Sequence, residues 1–132
     1  MTRTVVQTPQ APKAIGPYSQ AIALNNSFVF CSGQIPLDPE SMILEKPDIA
    51  LQTRRVLKNL KAVLTASGSS PSKILKTTVF MTDLGQFETF NKEYGQFFET
   101  EAPGIAAPAR STVQVSALPK GALVEIEAIA SI

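Results

Sequence analysis

The chain has 132 residues with 12 basic and 11 acidic side chains, no histidine and a single cysteine, Cys31. Without histidine it cannot hold a Ser-His-Asp or Cys-His catalytic site, and one cysteine supplies neither an internal disulfide nor a zinc site of Cys and His. A formal net charge of +1 is unlike the basic excess of most nucleic-acid binders, and the length predicts one domain over residues 1–132.

The N-terminal half predicts an extended segment and loop over residues 1–18, then a hairpin, a loop and a helix. Residues 19–24 and 27–35 are strand candidates, and Asn25-Asn26 between them is a turn signal because asparagine tolerates left-handed backbone. A loop over residues 36–47 follows. Asp48 is then a good N-cap, and Gly68 is placed where a helix would end. Apolar residues recur between them at helical spacing: Val56, Leu60, Val63 and Leu64.

The C-terminal half predicts a strand, a helix and two more strands. Residues 74–81 have strand composition. A helix over about residues 84–100 carries an aromatic stripe, which we interpret as core packing rather than a ligand platform; its members are Phe87, Phe90, Tyr94, Phe97 and Phe98. Alternating apolar residues in two closing runs, 112–117 and 124–130, predict strands. The order predicts an α+β fold, one mixed sheet with both helices packed on one face.

The last two strands are expected to form a hairpin about residues 118–121, which have proline and glycine at type I turn positions. Such a hairpin would pair Gln114 with Glu125 and Thr112 with Glu127, on one face. Its other face would pack under the helices through five apolar side chains: Val113, Val115, Val124, Ile126 and Ala128.

Arg110 would share the polar face of this hairpin with Glu125, because it alternates with the apolar set. A guanidinium in a partly dry cleft binds a carboxylate bidentately, and a nearby glutamate can transfer a proton or position water. The pair suits addition of water to a C=N or C=O group that bears a carboxylate. The pattern alone leaves two interpretations equal: a solvated face, or a face covered by another subunit that would bury Leu123 and Ile129.

Four motifs stand in order along the chain: residues 16–21 are GPYSQA, 32–36 are SGQIP, 108–111 are PARS and 125–130 are EIEAIA. Together they resemble the Rid family of reactive-intermediate (enamine and imine) deaminases, RidA subgroup, once known as the YjgF family. The resemblance covers essentially the whole chain. It implies a chorismate-mutase-like fold assembled as a homotrimer, with three sheets forming an inner barrel and a cleft at each subunit interface.

The resemblance also implies a reaction: hydrolysis of 2-imino acids, such as those released by threonine or serine dehydratases, to 2-oxo acids and ammonia, without a cofactor or metal. Arg110 would grip the substrate carboxylate, Tyr18 would line the pocket, and Glu125 would position or protonate the water. Three further residues would contribute to the cleft wall: Ser32, Gly33 and Asn91.

Thr112 departs from the family pattern, in which most members have cysteine at this position. The resemblance implies that the residue at this position acts through its backbone carbonyl, which would hold the water. Threonine has the same carbonyl and is therefore expected to be tolerated. Cys31 is expected to be a buried, inert strand residue, because no basic neighbour in the sequence would lower its pKa.

Two other functions stay open. An RNA-cleaving translation inhibitor, an activity attributed to some relatives, is disfavoured because the net charge is near zero and no histidine exists for acid-base cleavage. A non-catalytic trimer that binds small acids or acts as a chaperone would keep Arg110 and lose hydrolysis. The presence of both Arg110 and Glu125 favours the enzyme.

The sequence favours a cytoplasmic location. No apolar run approaches the roughly 20 residues of a membrane span, and the first residues lack the apolar stretch of a signal peptide. Residues 1–37 contain Arg3 and Lys13 but no acid, which leaves a mitochondrial presequence as the alternative. Prolines in that segment disfavour the amphipathic helix that a presequence needs.

Overall fold

The computed structural model describes residues 2–132, in which one mixed six-stranded sheet carries two α-helices on one face. In chain order the elements are β1 (Arg3–Val6), β2 (Ala21–Leu24), β3 (Phe28–Gln34), α1 (Ile49–Ala66), β4 (Ile74–Met81), α2 (Phe87–Glu101), β5 (Ala109–Gln114) and β6 (Val124–Ser131). Short 3-10 turns lie at Pro71–Lys73, Leu84–Gln86 and Pro119–Gly121. The predicted α+β architecture is confirmed, and the strand order is β1-β2-β3-β6-β4-β5.

Local signals fix the N-terminal half as predicted. β2 and β3 pair antiparallel, and Asn25 and Asn26 between them adopt left-handed φ angles of 53° and 54°. At the start of α1, the Asp48 side chain accepts a hydrogen bond of 2.9 Å from the Leu51 N–H, which caps an otherwise free donor. The helix is followed by Gly68 in the left-handed region, with φ 83°.

The predicted hairpin between the last two strands is wrong. β6 lies between β3 and β4 and is antiparallel to both, whereas β5 pairs in parallel with β4 at the edge of the sheet. The physical reason is that β4, α2 and β5 form a strand–helix–strand unit, whose helical crossover returns the second strand parallel to the first. The segment that connects β5 to β6 then passes the end of β4, where the Val115 N–H donates to the Met81 carbonyl at 2.8 Å.

Pairing with β4 also decides which face each side chain occupies. Arg110 is opposite Thr77 and Thr112 is opposite Val79; because Thr77 and Val79 are fully buried, this face lies under the helices. Glu125 is opposite Phe80. Because Phe80 alternates with Val79 along β4, Glu125 lies on the other face of the sheet, which carries no helix and which we call the open face. The prediction that Arg110 and Glu125 share a face is therefore wrong.

The apolar residues of β5 and β6 are likewise divided between the two faces of the sheet. Val124, Ile126 and Ala128 are buried under the helices as predicted, because β6 is central. Val113 is 42% exposed, since it alternates with Arg110 and Thr112 and so points to the open face; Val115 lies beyond the end of β5 and is only partly buried. The expectation that these two valines pack under the helices is wrong.

The open face carries an apolar row across four strands. Register places Val5 beside Ile22, Ile22 beside Phe30 and Phe30 beside Ile129. The prediction that this face includes Ile129 is confirmed, but Leu123 instead packs partly buried against the main core. No helix within residues 2–132 is long and apolar enough to cross a bilayer.

Candidate active site

Arg110 lies on the edge strand β5 and faces the aromatic side of α2. Its guanidinium carbon Cζ is 4.8 Å from the ring centroid of Tyr94, 5.4 Å from that of Phe87 and 5.7 Å from that of Phe90. All three distances are within the roughly 6 Å over which a ring quadrupole attracts a cation. None of the ion pairs formed within residues 2–132 includes Arg110, so this cation has aromatic neighbours and no acidic partner there.

Two further predicted residues on the same two elements, β5 and α2, have unused hydrogen-bonding capacity. Thr112 follows on the same face of β5, and Asn91 follows Phe90 on α2. Asn91 Oδ1 and Thr112 Oγ1 are buried and have no hydrogen-bond partner among residues 2–132. A buried polar atom without a partner costs about 1–3 kcal/mol and calls for a specific explanation, such as a bound water or ligand. We call Asn91, Arg110 and Thr112 the edge-strand cluster.

Glu125 occupies the open face together with Gly33 of β3. The β3–β6 register shifts between Cys31 and Gln34, and this irregularity brings the Gly33 backbone against the Glu125 side chain. A Cβ built on Gly33 would lie 2.9 Å from Glu125 Cδ and would overlap a carboxylate oxygen, so only glycine permits this approach. Burial raises the pKa of the Glu125 carboxyl, and the neighbouring charge of Glu127 raises that pKa further.

Ser32 connects this region to the Tyr18 loop. Its hydroxyl donates to the Ser19 carbonyl at 2.5 Å, and its N–H donates to the Gln20 carbonyl at 2.9 Å. Tyr18, which is 47% exposed, accepts a bond of 3.2 Å from the Ile15 N–H at its phenolic oxygen. We call Ser32, Gly33 and Glu125 the open-face cluster; Ser32 holds the Tyr18 loop beside it.

The predicted site residues are therefore brought together in two groups. The edge-strand cluster lies between the sheet and α2, and the open-face cluster lies on the opposite side of the sheet. The sheet itself separates the arginine from the glutamate, so one chain does not form a site that contains both.

Residues 8–132 match the family model described as Endoribonuclease L-PSP. The chain belongs to this family. A relative of the same family, the human 2-iminobutanoate/2-iminopropanoate deaminase, is 42% identical over 130 residues, which are 98% of this chain and 90% of the human protein.

Solved structures place the chain among Rid proteins, as the sequence predicts. The Rid family protein YyfA from Yersinia pestis superposes with a TM-score of 0.93 at 50% identity, covering 99% of this chain and 100% of YyfA. Escherichia coli TdcF with bound serine superposes with a TM-score of 0.92 at 46% identity, covering 98% of each chain. The fold of this chain is therefore the fold of the Rid family.

The aromatic stripe on α2 contacts Arg110, which the sequence did not predict. Phe90 and Tyr94 are buried as predicted, but together with Phe87 they also contact Arg110. The signal was present in the spacing, since residues 87, 90 and 94 fall on one helical face. This face contacts Arg110 only because β5 lies beside β4, and the predicted hairpin placed β5 elsewhere.

Gln20 is a second residue whose role was not predicted. Its buried side-chain amide accepts from the Thr8 N–H at 2.7 Å and donates to the Pro12 carbonyl at 2.7 Å. It thereby fixes the loop that leads to Tyr18. The motif at residues 16–21 contains Gln20, but a polar residue next to a strand has no sequence signal for burial.

Cys31 lies in the core among apolar side chains. Burial raises the pKa of its thiol to about 12, so the reactive thiolate is disfavoured. This agrees with the expectation of an inert strand cysteine.

Proposed function

We propose that the protein hydrolyses 2-imino acids to 2-oxo acids and ammonia. The observation that carries the proposal is Arg110, a cation held against three rings and without an acidic partner among residues 2–132. Its N–H groups are available for a bidentate bond to a substrate carboxylate. The unpartnered oxygens of Asn91 on α2 and Thr112 on β5 would accept hydrogen bonds from the substrate or from a bound water.

The reaction needs a carboxylate anchor and a proton carrier, and Arg110 and Glu125 would supply them. Water gives one proton to the Glu125 carboxylate and bonds to C2 of the imino acid, while the C=N electron pair moves to nitrogen, which takes that proton from Glu125. The hydroxyl proton of the resulting carbinolamine then passes through Glu125 to the amino group, the C–N electron pair leaves with nitrogen as ammonia, and the oxygen forms the C=O bond of the 2-oxo acid. Burial raises the pKa of Glu125, which brings this carboxyl closer to the pKa that a proton carrier needs, and the Thr112 carbonyl would hold the water.

We further propose that the complete site forms between copies of the chain in a homotrimer. One copy would supply the edge-strand cluster, and its neighbour would supply the open-face cluster with Tyr18. Two observations support this: the clusters lie on opposite faces of one sheet, and the open face exposes apolar side chains such as Phe28, Phe30 and Val5. A head-to-tail contact of this kind closes into a ring when the rotation permits.

A coupled assay tests the activity. Threonine dehydratase would generate 2-iminobutanoate, and release of 2-oxobutanoate would be followed with the wild type, Arg110→Ala and a control, Arg54→Ala. Arg54 is a suitable control because its side chain is 60% exposed on α1 and bonds to Glu93, away from both clusters. We expect the wild type and Arg54→Ala to accelerate hydrolysis equally.

Arg110→Ala should fall to the spontaneous rate, since loss of one partner of a buried charge pair costs about 2–5 kcal/mol, or roughly 30- to 4000-fold. A wild type that adds nothing to spontaneous hydrolysis would contradict the proposed activity. An unimpaired Arg110→Ala would contradict the proposed site.

A further inference from the structure

Arg110 raises a physical question that the proposed function does not answer. A partly buried guanidinium normally needs an anion to offset the loss of hydration. A permanent carboxylate partner would occupy the N–H donors that a substrate carboxylate must use. Within residues 2–132 no such carboxylate is paired with Arg110, and three rings surround its guanidinium.

We infer that Phe87, Phe90 and Tyr94 are positioning residues that replace an acidic partner for Arg110. Their π faces attract the cation without accepting its N–H bonds in the guanidinium plane. The guanidinium is thereby held in place while its donors remain free for a carboxylate ligand. This inference rests on the proposed function, because it explains the affinity of the proposed carboxylate anchor.

The scaffold holds two of these rings by hydrogen bonds to the strands around Arg110. The Tyr94 hydroxyl and Thr77 Oγ1 are 2.7 Å apart and buried, and Thr77 is the register partner of Arg110 on β4. The hydrogen bond between the Tyr94 hydroxyl and β4 thus holds the Tyr94 ring beside the Arg110 guanidinium.

Phe87 is held through the turn that precedes α2. The Leu84 N–H donates to Gln114 Oε1 at 2.9 Å, and Gln114 lies on β5, four residues after Arg110 and on the same face. The strand that carries the cation therefore also anchors the start of the helix that carries Phe87.

Phe87 separates a positioning role from a purely structural one. Phe90 is fully buried and Tyr94 nearly so, and truncating either would damage the core. Phe87 is 37% exposed, so its replacement should change folding stability little. Its contact with Arg110 should then appear in ligand affinity rather than in the amount of folded protein.

The first experiment replaces the ring and then restores it. With 2-oxobutanoate as the probe, calorimetry on the full-length protein should show Kd raised about two- to fivefold in Phe87→Leu, the usual size of one partly exposed cation–π contact. In the imine assay KM should rise by the same factor while kcat stays within about twofold. Phe87→Tyr, which keeps a ring, should restore the wild-type Kd. If Phe87→Leu binds and turns over as the wild type does, the inference is wrong.

The second experiment introduces an acidic side chain beside Arg110. Phe87→Glu should raise the Kd of 2-oxobutanoate about tenfold or more, because the new carboxylate competes for Arg110 and repels the ligand. Phe87→Gln, of the same shape without charge, should resemble Phe87→Leu. Equal affinities of the Glu and Gln variants would overturn the inference.

Arg110→Ala distinguishes failure of the inference from failure of the proposed function. If this variant binds 2-oxobutanoate as tightly as the wild type, the carboxylate anchor itself is misassigned. If it loses binding while every Phe87 variant keeps wild-type affinity, the anchor stands and the positioning role of the rings is refuted.

Discussion

Arg110 and Glu125 are held by the fold in different ways. Arg110 is packed between two elements, with β4 beside it in the sheet and the rings of α2 against its guanidinium. Glu125 lies on the open face, where the Gly33 backbone approaches its side chain and the charge of Glu127 acts on its carboxyl. One cluster is built by a single chain, and the other still offers a surface for a second chain to cover.

The difference teaches how the two tasks of the proposed reaction are divided. An anion anchor needs rigid, preorganised donors, which packed helices and strands supply. A proton carrier needs a shifted pKa, and burial shifts it further when a neighbour covers the site. Variants of the two clusters should therefore fail in different ways.

The largest effect should follow Glu125→Gln. Loss of a general acid-base group lowers kcat by about 10²- to 10⁴-fold, while the Kd of 2-oxobutanoate should change less than about threefold because Arg110 remains. Steady-state assays and calorimetry on the same preparations measure both. Glu40→Gln, which changes an exposed glutamate in the loop before α1, is the control and should keep kcat within about threefold of the wild type. If Glu125→Gln instead loses binding of 2-oxobutanoate, Glu125 also takes part in anchoring the ligand, which would contradict the division between anchor and proton carrier.

Complementation should then restore activity to a mixture of two inactive chains. Arg110→Ala and Glu125→Gln would be unfolded, mixed equally and refolded together. If each site takes one cluster from each of two neighbouring copies, about one quarter of the sites should contain both intact clusters. The mixture should regain about a quarter of the wild-type rate. A mixture as inactive as its components would show that both clusters of a site come from one chain, contrary to the proposal.

The sequence predicts the elements of this fold better than their pairing. Asn25-Asn26, Asp48 and Gly68 are local signals, and each lies where the structure uses it. The position of β5 is a non-local outcome: the turn residues at 118–121 favoured a hairpin, but the α2 crossover returned β5 parallel to β4.

The same limit applies to the site. Alternation along the strand correctly predicts that Arg110 and Thr112 point the same way. It does not say to which face, because that depends on whether Thr77 or Phe80 of β4 lies alongside. The motifs supplied the candidate residues, whereas their separation into two clusters follows only from the sheet order.

Gly33→Ala should disturb the open-face cluster alone. The added Cβ would collide with the Glu125 carboxylate and displace it, and a misplacement near 1 Å costs about 10²-fold in rate. We expect kcat to fall by about 10- to 10²-fold with the Kd of 2-oxobutanoate unchanged. Gly95→Ala on α2 is the matched control, since nothing lies within 4 Å of its added Cβ; it should keep the rate and gain about 0.5–1 kcal/mol in unfolding free energy. Equal kinetics of the two variants would contradict the assigned contact.

The smallest effect is a contrast in pH dependence between two glutamates. The hydrogen bond from Arg54 lowers the pKa of Glu93, with its positive charge adding to the shift. The stability from Glu93 is therefore complete above the ordinary glutamate range and is lost as pH falls through its lowered pKa. Burial raises the pKa of Glu125, so this residue contributes stability in acid that is lost as pH rises through its raised pKa.

Replacing each glutamate by glutamine should therefore give opposite trends in urea midpoints measured from about pH 3 to 8. Glu93→Gln should destabilise the protein at neutral pH, and the deficit should shrink towards acid because the wild-type bond is lost there. Glu125→Gln should match the wild type in acid and become the more stable protein as pH rises, since the wild type then holds a charge on a half-buried carboxylate. Parallel curves for the two variants would mean that Glu125 is as well compensated in the fold as Glu93. A residue so stabilised in its charged form would be poorly suited to carry the proton in imine hydrolysis. Curves that diverge as pH rises would instead show that the fold disfavours the charged form of Glu125.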